Sequence, residues 1–144
     1  MDIGTLPLLS MLVFLPLLGA IFVALIDQNV SMNNARQVGL WVTSATLFLA
    51  LTITFLYGHR DISHFFLSER YMITEALGLE YHLGVDQLSL GFILLTAFLF
   101  PLIMVVSWDY EVRELKFFIF LLLILETLIL GALCSLNLLV FYIF

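Results

Sequence analysis

The sequence contains few charged residues. Only 11% of its 144 residues are Asp, Glu, Lys or Arg, whereas soluble domains carry about 25%. Apolar residues make up 63% of the chain, and its mean hydropathy is +1.17. This composition predicts an integral membrane protein. Inside lipid the backbone must make its hydrogen bonds within the protein, as a helix does, so we expect an all-α fold.

Motifs of soluble catalysis are also missing. The sequence contains no glycine-rich nucleotide loop, no HExxH zinc motif, no GxSxG and no CxxC. Its single cysteine, Cys134, lies in an apolar run and excludes both an intrachain disulfide and a cysteine metal site. His59, Asp61 and His64 do not match a metal-ligand spacing, so we expect them in a solvated loop. A net charge of −6 disfavours nucleic acid as a partner.

Four apolar runs are long enough to cross a bilayer, which needs about 20 helical residues. We expect residues 1–144 to form one membrane unit, with a long loop over 58–87. Within that loop, residues 79–85 alternate weakly and favour a short strand. A fifth run, 138–144, has the composition of a span but contains only its start. The four expected spans are approximately 6–26, 38–57, 88–107 and 117–136.

Two prolines and several hydroxyl side chains lie inside these spans. Pro16 and Pro101 each lack a backbone N–H, which leaves the carbonyls of Leu12 and Ala97 without a donor and predicts helix kinks. The second span carries hydroxyl residues that can bond to their own helix or to a neighbour. These are Thr43, Ser44, Thr46, Thr52 and Thr54.

Glu126 is the one ionisable group well inside a long apolar run. A charge at bilayer mid-depth costs about 2.5–3.5 kcal/mol on insertion scales. One interpretation is a proton-carrying carboxylate that faces a polar cavity. The other is a protonated carboxyl that is hydrogen-bonded to a threonine or a backbone carbonyl at a helix contact. The residues three and four positions away are all Leu or Ile, so any partner must come from another helix or chain.

Asp86 directly precedes the third span. Its side chain can accept a hydrogen bond from the backbone N–H of Leu88 or Ser89, which favours an N-cap. The alternative is a role at the mouth of a proton path. The basic loop residues give a weak preference for one orientation in the membrane. Three of them lie on one side and two lie on the other side with the N-terminus, so the positive-inside rule slightly favours an N-terminus on the outside. The first group is Arg36, Arg113 and Lys116, and the second is Arg60 and Arg70.

Three segments stand out together: residues 82–89 (HLGVDQLS), 94–102 (LLTAFLFPL) and 138–144 (LLVFYIF). In this order they resemble the N-terminal part of the antiporter-like subunit called chain 4 (M in bacteria) of respiratory complex I, NADH:ubiquinone oxidoreductase. The family pattern is a GVDGLS-like start to the third helix, an LLTxFLxPL segment and an LLxFYxFFE helix start. Multisubunit sodium/proton antiporters share parts of this pattern.

The chain departs from the family at several positions. Gln87 replaces the usual Gly, and Asn137 stands where the family usually has an acid. The family's principal carboxylate would follow just after Phe144, so we expect a second polypeptide to carry the rest of the subunit. Glu126 falls on a helix where some members have an acid or an amide.

The resemblance implies a piece of a proton-translocating membrane-arm subunit that contributes scaffold and one edge of a proton channel. It implies that NADH, flavin, iron–sulfur clusters and ubiquinone bind other subunits, and that this chain holds no cofactor. The implied partners are other membrane-arm subunits and the lipid bilayer, in the mitochondrial inner membrane or a bacterial plasma membrane. The alternatives are a fragment of a multisubunit cation/proton antiporter, or a membrane adaptor that transports nothing.

Overall fold

The computed structural model describes residues 7–25, 32–57, 67–74, 79–109 and 114–144. These residues form four long helices that are apolar enough to cross a membrane, followed by a short fifth helix. The expected membrane architecture, four spans and the start of a fifth, is confirmed. The helices are α1 (Leu8–Leu25), α2 (Met32–Tyr57), α3 (Gln87–Val106), α4 (Leu115–Cys134) and α5 (Leu138–Ile143).

The helix α2 begins at Met32, six residues before the expected start at residue 38. The expected start was too late because hydropathy marks only the part of a helix that lies in lipid. Polar residues extend α2 beyond that part. In this extension the guanidinium carbon of Arg36 lies 5.8 Å from the centroid of the Trp108 ring. This cation–π contact places the start of α2 beside the end of α3.

A β-hairpin closes the opposite end of the bundle. Strand β2 (Leu79–Val85) confirms the strand expected over 79–85, and it pairs antiparallel with β1 (Leu67–Thr74). The partner strand was not predicted, because its sequence LSERYMIT shows no regular apolar alternation. Leu83 also forms a bridge with Ser135, directly after α4. The hairpin therefore covers the end where α3 begins and α4 ends.

The buried apolar residues form two clusters along the helix axes. The hairpin-end cluster contains Leu9, Leu12, Val13, Ala50, Ile53, Leu83, Val85, Leu90, Ile93, Ala97, Leu130, Cys134 and Val140. The far-end cluster contains Ala20, Val23, Ala35, Phe100, Met104, Leu115, Ile119, Leu122 and Leu123. Each long helix contributes to both clusters, so the four helices form one bundle. Cys134 is buried, as expected for a small apolar residue.

Two glycines set how the helices align. A Cβ atom on Gly19 would lie 2.6 Å from Cγ1 of Val42, so α1 approaches α2 closely at this point. A Cβ atom on Gly39 would lie 2.9 Å from both Cγ2 of Ile119 and Cε of Met104. Gly39 is thus the point where α2 meets α3 and α4, a role that small residues commonly have in membrane helices.

The short helix α5 turns back onto α4. The ring of Phe144 lies against Gly131, where a Cβ atom would clash with it. The turn between the two helices is closed by Ser135, whose backbone N–H and hydroxyl both donate to the carbonyl of Ala132, at 3.3 and 3.2 Å. The α5 backbone is thereby anchored beside the hairpin end of the bundle.

We expect Gly19→Ala to lower the free energy of unfolding by about 1–3 kcal/mol, since the added methyl group overlaps the stiff side chain of Val42. The matched control is Gly91→Ala in α3, where an added Cβ meets no atom of the described residues within 4 Å. That change should be neutral or slightly stabilising, because Ala is the better helix former. Denaturant unfolding in detergent, followed by helical circular dichroism, measures both. Equal stability of the two variants would contradict the close α1–α2 contact.

Candidate functional site

Glu126 is completely enclosed by the bundle. Its side chain is 0% exposed, and neither carboxylate oxygen has a hydrogen-bond partner among the residues that the structure describes. Burying a polar group without a hydrogen-bond partner can cost several kcal/mol of folding free energy. Such groups are therefore uncommon in native structures, and each one calls for an explanation. Glu126 is therefore the strongest candidate for a functional group in this chain.

The depth of Glu126 follows from the contact at Gly39. Helices α2 and α4 run towards the hairpin, and α3 runs away from it. Gly39 of α2 lies against Met104 of α3 and Ile119 of α4. About two helical turns towards the hairpin from these three positions lead to Thr46, Ala97 and Glu126, respectively. All three residues are 0% exposed. The structure therefore places them at one depth on the inward faces of their helices.

Helix α1 contributes Pro16 at nearly the same depth. Gly19 contacts Val42 of α2, and about one helical turn towards the hairpin leads to Pro16 on α1 and to Thr46 on α2. Pro16 is buried. All four long helices therefore have a buried residue near the level of Glu126.

The buried polar side chains of the described residues all lie near this depth. They form what we call the polar layer: Thr43, Thr46, Glu126 and Thr127. On α4 the layer separates Leu123 of the far-end cluster from Leu130 of the hairpin-end cluster. The bundle core is thus divided along its axis into an apolar half, a thin polar level and a second apolar half.

The threonines of the polar layer use their hydroxyl protons within their own helices. The Oγ1 atom of Thr46 donates to the carbonyl of Val42 at 3.0 Å, and that of Thr127 donates to Leu123 at 2.9 Å. Thr43 donates in the same way to Gly39 at 3.0 Å. Each oxygen keeps lone pairs that can accept a further hydrogen bond. Hydroxyls of the second span were expected to bond either to their own helix or to a neighbour, and Thr43 and Thr46 bond to their own helix.

Both prolines lie inside continuous helices, Pro16 in α1 and Pro101 in α3. Each removes one backbone donor, so the carbonyls of Leu12 and Ala97 lose their usual helical partner. Ala97 is at the depth of Glu126, and Leu12 is about one turn nearer the hairpin. The kinks at these prolines stay predictions.

Asp86 lies outside the bundle core, at the N-terminus of α3. Its Oδ1 atom accepts a hydrogen bond from the backbone N–H of Ser89 at 2.6 Å, which confirms the capping prediction. Hydrogen bonds from the hydroxyl and the N–H of Ser89 hold the pKa of this carboxyl below its usual value. Its place at the mouth of a proton path stays a prediction. His59, Asp61 and His64 lie outside the described residues.

No family model matches the sequence. Individual known proteins do match it over nearly its whole length. Over 95% of its length the chain is 31% identical to NADH-ubiquinone oxidoreductase chain 4 of Mycosarcoma maydis. Over the same share it is 34% identical to NADH-quinone oxidoreductase subunit M of Rhodobacter capsulatus. The chain is homologous to a part of these chain 4 or M subunits. It spans 28% and 27% of the length of these two relatives.

The homology to chain 4 or M subunits covers the bundle as a whole and not one motif. Chain 4 of Marchantia polymorpha, for example, is 31% identical over 94% of the chain and 27% of its own length. A match of this length includes the helices that carry Glu126 and the polar layer. The resemblance noted from residues 82–89, 94–102 and 138–144 is confirmed.

We expect Asp86→Ala to lower the free energy of unfolding by about 1 kcal/mol at neutral pH, because the first turn of α3 loses its cap. Asp86→Asn is the control, since Asn caps nearly as well. The folded-state pKa of Asp86 is lowered, so the cap contributes fully above the usual Asp pKa of about 4 and is lost as pH falls through the folded value. The deficit of the Ala variant, measured by denaturant unfolding, should therefore shrink in acid. A deficit that grows in acid would contradict the capping role.

Proposed function

We propose that this chain is part of the membrane arm of complex I and helps to couple NADH:ubiquinone electron transfer to proton translocation. The observation that carries the proposal is 31–34% identity to chain 4 and subunit M over 95% of the chain. The chain spans little more than a quarter of those relatives, so its own contribution is scaffold and one edge of a proton channel.

Glu126 is the residue in this chain that we propose to carry protons. It is buried at mid-depth without a hydrogen-bond partner among the described residues, and the default interpretation of such an acid in a membrane helix is functional. Asp86 is the second proposed proton-path residue. Because it is exposed at the hairpin end of the bundle, it would act where protons meet the aqueous side.

The proposed partners of this chain are other membrane-arm subunits of complex I. Flavin, iron–sulfur clusters and the NADH and ubiquinone sites are assigned to those other subunits. The membrane is the mitochondrial inner membrane or a bacterial plasma membrane, and the four apolar helices support a multi-pass arrangement in either.

Membership in complex I is tested by native electrophoresis of membranes in mild detergent. The chain should migrate with a very large assembly that oxidises NADH and reduces quinone in an inhibitor-sensitive way. Migration with a large assembly that lacks this activity would support a cation/proton antiporter instead. Recovery of the chain only as a small free oligomer would refute both.

Glu126→Gln should lower the number of protons translocated per NADH severalfold in the assembled complex, because the amide cannot exchange a proton. The matched control is Glu114→Gln, the same change at an exposed residue that precedes the same helix and makes no capping hydrogen bond with its side chain. Proton uptake is followed with a pH-sensitive dye in vesicles, with assembly checked on native gels. Unchanged stoichiometry in a fully assembled Glu126→Gln complex would remove the proton-path role and leave membership intact.

A further inference from the structure

The short helix α5 has few contacts that hold its position. Of its side chains that the structure describes, only Val140 is buried, and the others are at least 49% exposed. Directly after the helix, the ring of Phe144 lies against Gly131 of α4. The place of α5 beside the bundle therefore depends strongly on what covers Val140.

Strand β2 packs on the same buried cluster as Val140. Leu83 and Val85 are two residues apart, so their side chains lie on one face of the strand. They are 0% and 3% exposed, and both belong with Val140 to the hairpin-end cluster. The strand contacts α5 as well as α1, α3 and α4. The buried face of β2 is therefore part of the surface on which α5 is seated.

The same strand also holds the turn from which α5 starts. Ser135 ends α4 in an extended conformation, with φ −80° and ψ 125°. This conformation lets its backbone form a β-bridge with Leu83, and α5 begins three residues later at Leu138. The strand thus contacts α5 through side chains in the cluster and fixes its first residues through the backbone.

We propose that β2 is a strap that locks α5 against α4, so that the hairpin and α5 open and close as one unit. The alternative is that α4 alone holds α5, through Gly131 and Phe144. That contact lies at the end of α5 far from the turn and cannot fix where the helix starts. The strap holds the other end, and it does not depend on proton pumping or on membership in complex I.

The lock is tested by solid-state NMR of the full chain with labelled carbons in lipid bilayers. One signal is the contact between Gly131 and the ring of Phe144. A second is the contact between the Cα atoms of Leu83 and Ser135, which lie about 4.5–5.5 Å apart in an antiparallel pair. The contact of Gly39 with α4 reports on the far end of the bundle.

On heating, the two signals at the hairpin end should be lost together, and the far-end signal should be lost at a higher temperature. Loss of the Gly131–Phe144 contact while the Leu83–Ser135 contact persists would overturn the proposal. Simultaneous loss of all three signals would also overturn it, because no separate unit would then exist.

Leu83→Ala shortens the buried side chain of the strap and should lower the intensity of the Gly131–Phe144 contact at least twofold. The far-end signal of Gly39 should persist. Leu88→Ala is the matched control, because it is the same change at a residue that is 70% exposed just beyond the strand. Equal effects of the two changes would contradict the strap.

Val140→Ala tests the lock from the side of α5 and decides the question even if Leu83→Ala does not fold. Coupling between two elements is reciprocal, so this change should weaken the Leu83–Ser135 contact. Ile143→Ala is its control, since Ile143 is also β-branched but is 78% exposed. A Leu83–Ser135 contact that is equally strong in both variants would show that the hairpin and α5 move independently.

Discussion

One carboxyl group at mid-depth constrains the rest of this structure. The residues three and four positions from Glu126 on its own helix are all Leu or Ile, so they cannot pair with the carboxyl group. The bundle encloses it completely instead of exposing it to lipid, and that requires three other helices to present small or polar residues at the same level. Thr46, Ala97 and Pro16 meet this requirement.

The glycine contacts make this convergence possible. In lipid, helices associate through close packing and not through the hydrophobic effect. Gly19 brings α1 against α2, and Gly39 brings α2 against α3 and α4. These contacts fix the vertical alignment of four helices, and that alignment determines which residues share the depth of Glu126. The two apolar clusters above and below then hold the polar layer between them.

The sequence was sufficient for the features that depend on local pattern. Long apolar runs predicted the four spans, the weak alternation at residues 79–85 predicted β2, and the position of Asp86 before α3 predicted its cap. Glu126 stood out because a buried acid is costly wherever it lies in a span. Each of these inferences needs only neighbours along the chain.

The polar layer could not be predicted in the same way. Five hydroxyl residues in the second span look alike in sequence, and only the contact at Gly39 shows that Thr46 shares the depth of Glu126. The same holds for Ala97, whose depth follows from the contact of Gly39 with Met104 on α3. Strand β1 was missed because its pairing depends on β2 and not on its own polar pattern.

The most direct measurement is an electron cryo-microscopy map of the assembled membrane arm at a resolution that shows side chains. This chain should lie within the arm, and Glu126 should be enclosed by the helices at the level of Pro16, Thr46 and Ala97. A map in which the arm lacks this chain, or in which Glu126 faces lipid, would contradict the account.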